Sequence, residues 1–67
     1  MVDNYMIEEV KRIYKVKNNK LAEEIARNIL IYIESRGMYR YMKRLEECFG
    51  KKYAAKTIVE KYRKSTS

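Results

Sequence analysis

The chain has 67 residues, 16 Lys+Arg against 9 Asp+Glu for a formal net charge of +7, a single cysteine and no histidine. A chain this short is one domain, 1–67, burying only about 60% of its unfolded surface, without the disulfides or metal ligands that usually staple small folds. Such charge raises self-repulsion, a cost that contact with a polyanion offsets. Catalysis near neutral pH lacks its usual proton carrier.

Proline is absent and glycine occurs only at Gly37 and Gly50. Helical apolar spacing between these marks and the Asn18-Asn19 break predicts an all-α fold, a small bundle of four short helices over 4–16, 20–36, 38–49 and 51–64. Residues 65–67 read as a frayed tail.

In the first helix Asp3 is the expected N-cap, and Met6, Ile7, Val10, Ile13 and Tyr14 share one arc. Glu8 and Glu9 come early and Lys11 and Lys15 late, which suits the helix dipole. The opening residues carry acid where a secretory signal carries base, and no apolar run approaches the ~20 residues of a membrane span. With Cys48 unpaired, a reducing cytoplasm is the expected compartment and no membrane partner is expected. The segment 11–20 holds Lys11, Arg12, Lys15, Lys17 and Lys20 and no acid. Its four lysines are candidate phosphate contacts.

The second helix presents Leu21, Ala22, Ile25, Ala26, Ile29, Tyr32 and Ile33 on a broad apolar face. From Ile29 to Ile33 it is apolar almost all round, a pattern that asks for cover on more than one side. Ile31 projects among Lys20, Glu24 and Arg27, so either another helix of the chain or a second subunit must cover it. Leu30 and Ile31 are therefore the candidate interface of a homodimer.

On the third helix Met38, Tyr41, Met42, Leu45, Cys48 and Phe49 fall on one face and read as core, Cys48 as a buried small hydrophobe. Arg40 and Lys43 point the other way with Tyr39 and join the candidate nucleic-acid contacts.

The fourth helix turns Ala54, Ala55, Ile58 and Tyr62 inward. Its other arc carries Lys52, Lys56 and Arg63, with Tyr53, Thr57 and Lys64 beside it and Lys51 at its head. Bases one turn apart repel slightly, so helix stability does not explain their placement. A polyanionic ligand does; a solvated basic face is the structural alternative.

The two helices meeting at Gly50 have the outline of a helix-turn-helix, in which Lys52, Tyr53, Lys56 and Thr57 would face DNA. Glu46-Glu47 stand where that motif usually carries a small residue, so a looser basic bundle fits equally. The acidic pairs Glu8-Glu9, Glu23-Glu24 and Glu46-Glu47 diverge by about 100° on a helix and cannot flank one substrate as general acid and base. No enzyme activity, cofactor, metal or small-molecule substrate is expected.

Lysine outnumbers arginine on the outward arcs, and it meets phosphate as a point charge without reading base edges. Seven tyrosines keep stacking on unpaired bases open. The function expected is a small basic nucleic-acid-binding protein gripping duplex DNA by its phosphates, a regulator or architectural protein. The alternatives are a helical protein-interaction module, acting as adaptor or inhibitor, and an RNA- or ribosome-associated protein.

Overall fold

The computed structural model describes residues 3–66. It consists of α1 (Asn4–Tyr14), α2 (Asn19–Ser35), α3 (Tyr39–Phe49) and α4 (Lys51–Thr66), with no strand among the described residues. The predicted all-α, four-helix class is observed. The Asp3 carboxylate accepts the Tyr5 N–H at 2.8 Å, and the Asn18 side chain accepts those of Lys20 and Leu21 at 2.8 and 3.2 Å. Each satisfies backbone donors that the first helical turn leaves without partners.

The first two helices end by one device. At the end of α1, Lys15 turns left-handed (φ 57°) and the Val16 N–H reaches back to the Lys11 carbonyl at 3.1 Å. Gly37 does the same after α2 (φ 65°), with Met38 N–H on the Ile33 carbonyl at 2.9 Å. This is the Schellman closure, in which the apolar residue after the left-handed one packs on the helix it has just ended. Val16 and Met38 both lie half-buried against the core. The first helix therefore stops at Tyr14 and not at 16, because a lysine takes the role that glycine was expected to mark.

The C-terminal tail differs from expectation. Helix α4 continues through Thr66, held by a 3.0 Å hydrogen bond between the Ser65 and Tyr32 hydroxyls and by the Thr66 hydroxyl donating to the Tyr62 carbonyl at 3.1 Å. Ser67, the rest of the predicted tail, lies outside the described residues.

Two helical hairpins, α1–α2 and α3–α4, dock mainly through α1 on α4. Tyr5 and Lys52 border one groove while Tyr14 lies near Tyr62 and Arg63, so α1 and α4 run in the same sense. The core comprises Met6 and Val10 of α1, Ala22, Ala26, Ile29 and Ile33 of α2, and Ile58 and Val59 of α4. Burying each of the larger aliphatic side chains contributes about 1.5–3 kcal/mol. Ala54 and Ala55 are also buried.

Helix α3 contributes no buried residue. It packs mainly on α4, so of its apolar face only Met42 and Leu45, with Met38 just before the helix, are half-covered, while Tyr41, Cys48 and Phe49 are exposed. The expectation of a buried Cys48 is thus corrected: the apolar face of α3 is broader than the helix it meets. On α2 the buried strip lies opposite Ile31, which is 64% exposed. No helix among the described residues covers it, whereas Leu30 lies half-buried against the chain's own core.

The Tyr14 hydroxyl is buried without a hydrogen-bond partner among the described residues. The neighbouring Thr66 hydroxyl directs its proton to the Tyr62 and Arg63 carbonyls, so it can meet Tyr14 only as an acceptor. Burial pushes the Tyr14 pKa up, with Thr66 opposing. The folded state thus favours the protonated phenol, so its contribution is complete below the unfolded pKa of about 10 and is lost as pH rises toward the higher folded value. Tyr14→Phe should leave the melting temperature at pH 7 unchanged or higher, and should soften the fall in stability above pH 10. Melting curves of both proteins at pH 7, 10 and 11 test this, and a lower melting temperature for the variant at pH 7 would mean that the hydroxyl is satisfied.

Candidate nucleic-acid interface

Helix α4 divides as its periodicity requires. Ala54, Ala55, Ile58 and Val59 are buried, whereas Lys52, Tyr53, Lys56, Arg63 and Lys64 are exposed and Thr57 lies half-buried at the border. Lys51 and Lys52 are consecutive, and successive helical side chains diverge by about 100°, so they serve different depressions. Lys52 borders an open groove of about 750 Å³ along one side of α1, shared with Tyr5, Glu9, Arg12 and Lys17. Lys51 borders a smaller recess of about 200 Å³ where α3 stands off from α1 and α2, with Lys43, Glu46, Leu30 and Met42 around it. Tyr5 lines both.

The groove gathers candidates from both ends of the chain: Lys11 and Lys17 from the first basic block, Lys52 from the last. Its charges are unequally neutralised. Lys11 lies 3.9 Å from Glu8 and Arg12 2.7 Å from Glu9, whereas Lys17 and Lys52 form no ion pair among the described residues, and neither do Lys15, Lys20, Lys51, Lys56 and Arg63 outside the groove. Glu8 and Glu9, one turn further into α1 than dipole compensation favours, act as these local partners. Glu9 is 4% exposed, and its Oε1 accepts both Arg12 Nε at 3.1 Å and Nη2 at 2.7 Å. This pair forms part of the groove wall.

The third-helix candidates stand apart. Lys43 lies over the Tyr39 ring at 5.5 Å from its centroid and 3.7 Å from Glu46. Tyr39 first, and then Glu46, raises its pKa and keeps the ammonium charged. Arg40 lies exposed on the outer side of α3 beside Arg44 and Glu47. The helix-turn-helix outline around Gly50 is present as two helices joined by one residue, where that motif carries a turn of three or four.

Tyr5, Arg12 and Glu9 also line the groove, although none is among the contacts that the sequence singles out. Glu9 and Arg12 were detectable as an i,i+3 pair beside the apolar arc. The placement of Tyr5 depends on α1 meeting α4, which no local pattern encodes. Among the described residues no three His, Cys, Asp or Glu side chains group to hold a metal ion, and no helix is long and apolar enough to cross a membrane. No protein-family model, curated protein or solved structure matches the chain.

Proposed function

We propose that this protein binds nucleic acid through lysine contacts to phosphate, with duplex DNA as the ligand and a regulatory or architectural role in the cytoplasm. One observation carries the reading: Lys17 and Lys52 border a single groove and, although Glu8 and Glu9 line it too, neither lysine forms an ion pair among the described residues, while the exposed Lys56 adds charge one turn along α4. Like charges held together on a small domain are favourable when a polyanion neutralises them. RNA offers the same phosphates, while a protein partner would have to bring an acidic surface.

A labelled duplex titrated at several salt concentrations tests it. For about four to six phosphate contacts, the slope of log affinity against log salt should be about −4 to −5. Lys52→Ala with Lys56→Ala removes two exposed ammonium groups from the arc opposite Ala54 and Ile58, so the melting temperature should hold while the slope falls by about 2. An unchanged slope moves the contact surface to Lys11, Lys15, Lys17 and Lys20. Absence of binding at about 50 mM salt favours an adaptor or inhibitor that binds protein.

Ile31 supports self-association as a second element of the proposal, being a large apolar side chain in the middle of the outer face of α2. Ile31→Glu should leave helix content intact and convert a dimer to monomer by sedimentation. A wild-type monomer at ~100 μM removes the basis for a homodimer, the commonest closed assembly.

A further inference from the structure

The only phenylalanine of the chain is 63% exposed. Tyrosine and tryptophan have a polar atom that gains from meeting water, but phenylalanine has none. Phe49 ends α3, and its ring meets Tyr53 of α4 with centroids 4.8 Å apart and planes inclined at 43°. Tyr53 is itself 46% exposed. The two rings thus form an aromatic step at the corner where α3 turns into α4, open to solvent on its outer side. Lys52 precedes Tyr53 and Lys56 follows it one turn later, both exposed and neither in an ion pair among the described residues.

We propose that Phe49 and Tyr53 form a stacking site for an unpaired base, whose flanking phosphates lie on Lys52 and Lys56. This inference rests on the nucleic-acid reading and narrows it. The strand held at this corner is single-stranded, or is a duplex with a base frayed or turned out. A nucleobase is flat, apolar on its faces and tethered to negative charge, and this corner offers two exposed rings with exposed lysines at 52 and 56 on the same helix as Tyr53. A second copy of the chain would bring its own Lys52 and Lys56 against these, which makes the patch a poor contact with itself. Every base has a π-face, so the site selects unpaired over paired bases and does not read sequence.

The test compares three labelled ligands of equal phosphate number: an oligothymidylate, the same backbone with abasic sugars, and a blunt duplex. They are titrated with wild type and with Phe49→Leu, which keeps an apolar side chain but loses the ring. Wild type should bind the thymidylate about tenfold or more tightly than the abasic strand, and tyrosine emission should be quenched on binding, since the chain has no tryptophan. Phe49→Leu should lose about five- to tenfold on the thymidylate alone, with the abasic strand, the salt slope and the melting temperature unchanged. Tyr53→Leu should reproduce the loss.

Equal affinity of wild type for thymidylate and abasic strands overturns the stacking site while leaving phosphate binding intact. Equal loss on all three ligands also overturns it, because Phe49 would then act through the fold. A Phe49→Leu variant that loses self-association in sedimentation, with thymidylate binding unchanged, assigns the patch to a second copy instead. Binding to none of the three overturns the nucleic-acid reading and this site with it.

Discussion

Gly50→Ala should lower the melting temperature by about 8–16 °C. Gly50 is the single residue between α3 and α4, at φ 94° and ψ 164°, where it closes one helix with its N–H on the Glu46 carbonyl and opens the next with its carbonyl accepting from Ala54. That combination of angles belongs to a region that only glycine enters without strain, and an L side chain there costs about 1–3 kcal/mol. An added Cβ would meet no atom within 4 Å, so the loss comes from backbone conformation and not from a clash. Taking about 2 kcal/mol, and 4–8 °C per kcal/mol for a domain this small, gives the stated range. Gly37→Ala, whose left-handed φ is less restrictive, should lose less. Circular dichroism melts of the two variants check the ranking, and a Gly50→Ala protein melting with wild type would show that the corner rearranges freely.

Removing Arg12 should be as damaging. The Glu9 carboxylate is buried and takes both its short hydrogen bonds from one guanidinium. Deleting one partner of a fully buried pair costs about 3–5 kcal/mol because it strands a charge. Arg12 is 56% exposed, so water can replace part of what it supplies, and the expected loss for Arg12→Ala is about 2 kcal/mol. The melting temperature should then fall by about 8–16 °C. Pairing the change with Glu9→Met should recover most of it, since an apolar side chain of similar length needs no counter-charge. A double variant no more stable than Arg12→Ala would place the cost in lost packing of the Arg12 stem and not in the stranded carboxylate.

Helix number and position were legible in the sequence because apolar spacing, Asp3, Asn18 and the two glycines all act locally. Most inward positions of α1, α2 and α4 follow from the same spacing, except that Leu21, on the apolar face of α2, is exposed, while Glu9 and Val59 are buried outside the expected inward positions. Lys15 was not legible as a helix stop, since its left-handed turn is set by the Val16 contact with the core. Cys48 and Phe49 depart from the expected core for a different reason: periodicity shows which side of α3 is apolar, but not how much of that side a neighbour covers. The basic residues were found, yet their grouping into a groove required the pairing of the first helix with the last. Nothing in either segment alone announces that pairing.

That seam also shapes how the chain reaches its fold. The hairpin turns are short, so α1 with α2 and α3 with α4 can meet almost as soon as they form, as in helical proteins that fold in microseconds to milliseconds. Joining α1 to α4 instead closes a loop of nearly the whole chain, although loop entropy grows so slowly that each doubling of length costs only about 0.6 kcal/mol. The terminal helices are the two halves of one interface. Trimming either end should therefore remove the same seam, and unfolding should proceed in one cooperative step with no persistent half-molecule.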